Sequence, residues 1–143
     1  MSVQIIDGNI SLSDIVYSGA SQALALQKSA ESATAINATA TASTAAILGG
    51  IITSTTAAAV TITTPTAAQL LAALGAAGYR TNNGDVFKLI VLNLGNANAI
   101  TMAGGINVAF SANNSIIGAS SKVLFYWRII DNTGVANPSI QFY

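Results

Sequence analysis

Cysteine and histidine are both absent from this chain of 143 residues. Their absence excludes disulfides and thiolate or imidazole metal sites. It also excludes any nucleophilic triad built on a histidine base. Charge is scarce: five basic and five acidic residues, 7% of the chain, with a formal net charge of zero. No basic patch can be assembled from Lys28, Arg80, Lys88, Lys122 and Arg128 as spaced, so nucleic acid is not an expected partner. Aromatic residues make up 6% of the chain and cluster late, at Phe125, Tyr126, Trp127, Phe142 and Tyr143. Met1-Ser2-Val3-Gln4 offers neither a basic nor an apolar leader region, and secretion by the usual route is not expected. The most apolar stretch, Ala45 to Ile62, is interrupted by Gly49, Gly50 and five Thr or Ser. No membrane span or membrane partner is expected from it.

The residues that could carry chemistry are isolated. Ser120, Ser121 and Lys122 could suggest a Ser–Lys pair, but adjacent residues on a strand point to opposite faces. Asp7, Asp14, Glu31, Asp85 and Asp131 sit singly, in turns or on the N-terminal arm, and read as turn or cap residues. No glycine-rich phosphate loop with its lysine is present. Asn9-Ile10-Ser11, Asn37-Ala38-Thr39 and Asn113-Asn114-Ser115 fit the glycosylation pattern, as Asn-rich sequence does by chance. Tyr126 or Trp127 could form a sugar-binding platform, although packing in a core or subunit interface is the commoner use of such rings. The expectation is a protein without catalytic residues, cofactor or metal.

What is abundant is Ala, Thr, Ser and Asn within a chain that is 52% hydrophobic. A neutral surface of this kind suits an assembly better than a free monomer, because solubility usually leans on net charge. Residues 1–50 read as an arm. Val3, Ile5, Ile10, Leu12, Ile15 and Val16 alternate loosely around the Asp7-Gly8-Asn9 turn signal. Ala23, Leu26, Ala30, Ala33, Asn37 and Ala40 follow heptad spacing, so the arm is expected to be extended or helical and to pack on copies of itself or a partner through that seam. Lys28 and Glu31 can pair on such a helix, and the Thr-rich end from Thr39 should weaken it. A disordered linker is the alternative for so small-residued a stretch. Gly49-Gly50 ends the arm.

Residues 51–143 read as the folded head. Ile51 to Thr63 is strand-like. Thr64 can cap a helix with Pro65 in its first position, Leu70, Leu71 and Leu74 on one stripe, and Gly75 closing it. Val86 to Leu94 is apolar on both faces, the pattern of a strand buried twice. Ala99 to Met102 and Ile106 to Phe110 flank Gly104-Gly105 as a tight hairpin would. Ser115 to Ile117 is a further short strand. In Lys122 to Ile130, Val123, Phe125, Trp127 and Ile129 share one side, with Lys122, Leu124, Tyr126, Arg128 and Ile130 on the other. Ser139 to Tyr143 closes the chain. Short strands with turn signals between them predict a mainly β fold, an antiparallel β-sandwich with one short helix. Its expected core is Leu70, Leu74, Phe87, Leu89, Val91, Phe125, Trp127 and Ile129.

From about Ile51 onward the chain resembles a β-domain met in structural proteins of phages and large DNA viruses. The likeness is carried by Ile62-Thr63-Thr64-Pro65-Thr66-Ala67-Ala68-Gln69-Leu70-Leu71-Ala72-Ala73-Leu74, by Gly84-Asp85-Val86-Phe87-Lys88-Leu89-Ile90-Val91-Leu92-Asn93-Leu94-Gly95-Asn96, by Ile100-Thr101-Met102-Ala103-Gly104-Gly105-Ile106-Asn107-Val108, and by Lys122 to Asn132. The resemblance implies a trimeric, jelly-roll-like head. The sequence carries no Gly-X-Y stalk and no long shaft. The implied role is that of a capsid decoration, or cement, protein on the outer surface of a virion, partnered by itself as a homotrimer and by the major capsid protein. A glycan-binding tail-fibre head and an extracellular filament subunit are the rival readings.

Overall fold

The first six strands alternate between two sheets, and this alternation sets the architecture. The structure, a computed structural model, describes residues 31–111, 115–132 and 138–143. The chain divides into two units, Met1–Glu31 and Ser32–Tyr143; the fold described is that of the second. It contains β1 (Ser32–Ala35), β2 (Ala40–Thr41), helix α1 (Thr44–Gly49), β3 (Gly50–Ser54), β4 (Val60–Thr63), helix α2 (Ala67–Ala76), β5 (Val86–Asn93), β6 (Ile100–Ala103), β7 (Val108–Phe110), β8 (Ile116–Ile117), β9 (Ser121–Asp131) and β10 (Ser139–Phe142). One sheet has the order β1-β3-β5-β9-β10-β7 and the other β2-β4-β6-β8.

The strands β1, β3 and β5 run parallel, as do β2, β4 and β6. The chain thus winds three times through the same path before β9 pairs antiparallel with β5 and β10 antiparallel with β9. The fold is mainly β, but its sheets are mixed, which corrects the antiparallel expectation. Alternation of side chains is the same in parallel and antiparallel strands, so sequence pattern could not separate them. Each winding is locked to the next at its corner. Asn37 Oδ1 accepts the Thr55 N–H at 2.8 Å, and Thr39 Oγ1 accepts the Thr61 N–H at 3.1 Å. Asn98 Nδ2 donates to the Ala57 carbonyl.

Several expected elements differ in detail. Ile51 to Thr63 is not one strand: β3 and β4 lie in different sheets, joined at Thr55–Ala59. Residues 32–49, expected in the arm, pair and pack with the strands that follow. The Ser43 hydroxyl caps α1 by accepting the Ala46 N–H, and Gly50, at φ 86, closes it in the left-handed region glycine tolerates. Among the described residues there are therefore two helices rather than one. The cap of α2 is Thr66, not Thr64. Thr66 and Gln69 form a reciprocal capping box, and the helix runs one residue past Gly75. Thr64 is instead buried, its Oγ1 accepting the Gly105 N–H at 3.0 Å.

Gly104-Gly105 does not turn a hairpin. The chain crosses there from β6 in one sheet to β7 in the other. A Cβ on Gly104 would lie 1.9 Å from the Val108 carbonyl oxygen, and one on Gly105 would lie 2.6 Å from the carbonyl oxygens of Thr64 and Pro65. The two glycines serve close backbone approach, a use that a two-glycine spacing does not distinguish from a tight turn.

Both sheets and both helices feed one core. Ile52, Leu89, Val91, Phe125, Trp127, Ile129, Ile140 and Phe142 come from the larger sheet, and Val60, Ile62, Ile100, Met102 and Ile117 from the smaller. Leu70 and Leu74 dock α2 on it, and Ala46 and Ile47 dock α1. Stacked and edge-on rings organise one part of it. Phe87 stacks on Trp127 at 4.6 Å, Trp127 on Phe142 at 5.7 Å, and Phe110 on Phe142 at 4.7 Å.

Candidate interaction face

The outer face of the six-stranded sheet follows directly from strand alternation. In β9, Phe125, Trp127 and Ile129 are buried, while Lys122, Leu124, Tyr126, Arg128 and Ile130 are exposed. In β5, Leu89, Val91 and Asn93 are buried, which sends Val86, Lys88, Ile90 and Leu92 outward. Pairing assembles these into rows across the sheet. Ile51, Ile90 and Leu124 form one row, Leu92 and Lys122 a second, and Val86, Arg128 and Gln141 a third. Tyr126 and Tyr143 exchange backbone hydrogen bonds of 3.0 and 2.9 Å on neighbouring strands.

This face is not covered as expected. Val86 is 49% exposed, Leu124 46%, Tyr126 47%, Tyr143 42% and Ile130 38%. Five of the eight large apolar side chains exposed among the described residues stand together here. Single exposed apolar residues are ordinary, but a contiguous group marks an interaction surface. The expectation that Val86 to Leu94 is buried on both faces is thus corrected: one face packs in the core and the other opens outward. Apolar side chains on both sides of a strand signal two contacts, and within this chain's described unit only one is made.

The edge of this face is fixed by a buried polar side chain. Asn93 ends β5 with its side chain inward, and Nδ2 donates to the carbonyls of Asn98 at 2.7 Å, Ile117 at 3.1 Å and Gly118 at 2.9 Å. Its Oδ1 accepts the Gly95 N–H at 3.1 Å. One amide therefore ties the larger sheet to β8 of the smaller and to residues just outside β6 and β8.

The residues considered for chemistry do not converge. The hydroxyls of Ser120 and Ser121 donate to the Gly95 and Ala119 carbonyls. Asp85 accepts from Arg80 at 3.0 Å and from the Asn82 N–H at 2.9 Å, a turn residue with one ion pair. Among the described residues no group of three or more His, Cys, Asp or Glu side chains could hold a metal, and no helix is long and apolar enough to cross a membrane. Trp127 is 1% exposed, so of the two candidate sugar platforms only Tyr126 reaches the surface.

Of the expected seam, Ala23, Leu26 and Ala30 lie outside the described residues. Ala33 lies in β1 and Ala40 in β2, both exposed and in different sheets. They do not continue one helical stripe. Of the expected core, Leu70, Leu74, Leu89, Val91, Phe125, Trp127 and Ile129 are buried and Phe87 is partly buried against them. No protein-family model, no curated protein and no solved structure matches the chain.

Proposed function

We propose that this chain is a non-enzymatic structural subunit of a virion, a homotrimeric capsid decoration protein with a jelly-roll-like head. In this reading it lies on the outer surface of the shell and anchors to the major capsid protein through its N-terminal arm. The observation that carries the assembly part of the reading is the open outer face of the six-stranded sheet. A neutral chain that presents Val86, Leu124, Tyr126, Ile130 and Tyr143 side by side is built to have that surface covered. Aromatic side chains with an arginine beside them are the composition of interface centres. The viral part of the reading rests on the sequence resemblance alone.

The test is occupancy on particles. The full chain and a variant lacking residues 1–30 are added to undecorated particles of the virus that encodes it, and bound copies are counted from a density map. The decoration reading expects the full chain in groups of three on the shell and the shortened variant absent. Full occupancy by the shortened variant would remove the arm as anchor; absence of the full chain from the shell would remove the reading.

A glycan-binding head is the second reading, favoured by Tyr126 and Tyr143 standing exposed on adjacent strands beside Arg128 and Gln141. It expects the face to remain open in the assembled particle.

A further inference from the structure

The outer face has a charge character that selects what can cover it. Lys122 and Arg128 stand exposed on β9, six residues and so about 20 Å apart along the strand. Leu124 and Tyr126 are exposed between them. The outward positions of β3, β5, β9 and β10 carry no Asp or Glu. Pairing this face with the same face of a second copy would set cation against cation, and like-charge juxtaposition is costly.

The complementary charge lies elsewhere in the same chain. Residues 32–143 hold Arg80, Lys88, Lys122 and Arg128 against Asp85 and Asp131, and Asp85 is already paired with Arg80. Residues 1–31 hold Asp7, Asp14 and Glu31 against Lys28. Within them, residues 3–16 contain Val3, Ile5, Ile6, Ile10, Leu12, Ile15 and Val16, with Asp7 and Asp14 and no Lys or Arg. That segment is apolar and acidic where the face is apolar and basic. Asp7 and Asp14 bracket Ile10 and Leu12 much as Lys122 and Arg128 bracket Leu124 and Tyr126. The seven residues from Asp7 to Asp14 can span at most about 25 Å, enough for a separation of about 20 Å when extended.

We infer that residues 3–16 of one copy cover the outer face of the six-stranded sheet of a neighbouring copy, with Asp7 and Asp14 meeting Lys122 and Arg128. The apolar side chains supply affinity and the charges set register and partner choice. The inference rests on the oligomeric part of the proposed function and is independent of any shell.

The experiment is sedimentation velocity on the full-length protein, without particles, over a micromolar concentration series. Four chains are compared: wild type, a Lys122→Glu/Arg128→Glu variant, an Asp7→Lys/Asp14→Lys variant, and the chain carrying all four changes. Each reversal alone should weaken association about tenfold or more, two exposed pairs turned repulsive, and the fourfold chain should recover it. An equimolar mixture of the two double variants should associate more than either variant alone, because each offers the segment the other's face needs, although a ring of three leaves one of its three contacts mismatched. Wild-type association should weaken as salt is raised, a readout that needs no variant. An oligomer insensitive to salt and to both reversals would overturn the inference while leaving the oligomeric reading intact. So would a mixture that fails to associate while the fourfold chain recovers, because the pairing would then be within one chain. A wild-type monomer throughout would overturn both.

Discussion

Trp127 shows how much one side chain holds. It is 1% exposed, stacked between Phe87 and Phe142, and its Nε1 is buried without a hydrogen-bond partner. Trp127→Ala should cost about 3–5 kcal/mol, read as a lower urea midpoint. Trp127→Phe keeps a stacked ring and removes the orphan donor, so its loss should be clearly smaller. Equal losses would mean the indole N–H has an acceptor after all. Asn93→Leu tests the opposite case. It strips hydrogen bonds from the carbonyls of Asn98, Ile117 and Gly118, so it should destabilise by about 2–4 kcal/mol despite adding apolar surface. A neutral result in denaturant melting would contradict the tie between sheets that this amide makes. Of these two residues the tryptophan was legible in sequence, from the alternation Phe125, Trp127, Ile129. The asparagine's role was not, because two of its partners, the Ile117 and Gly118 carbonyls, lie 24 and 25 residues away.

Elements were legible where their own side chains decide them. The stretch Lys122 to Ile130 keeps Val123, Phe125, Trp127 and Ile129 on one side, and β9 follows it. The leucines of α2 mark its buried stripe. What sequence did not fix was which strands pair. Parallel stacking of β1, β3 and β5 joins residues 18 and 39 positions apart, as in Ser32 with Gly50 and Ile51 with Ile90. Nothing local encodes that. The cap of α2 shows a smaller ambiguity: Thr64 and Thr66 both precede the apolar run, and Gln69 decides for Thr66 because only it stands three residues on. Thr66→Ala should therefore cost about 1 kcal/mol in thermal melting. Thr64→Ala should cost as much or more, by leaving the Gly105 N–H without its acceptor; a Thr64 variant that melts like wild type would undo that assignment.

For the molecule as a whole, the open face is what the described residues of unit 32–143 leave unfinished. The sequence signalled it as apolar residues on both sides of Val86 to Leu94, but the pattern cannot say whether the second contact comes from the same chain. Unit 32–143 holds its own core cluster, so removal of residues 1–30 should leave a cooperative melting transition. Loss of that transition would mean that residues 1–30 supply part of the core. If association of copies covers the face, the mass of the soluble full-length protein decides the matter, read by light scattering at micromolar concentration. The expected value is three times the mass of the chain. A stable monomer, with Leu124 and Tyr126 left open to solvent, would contradict it.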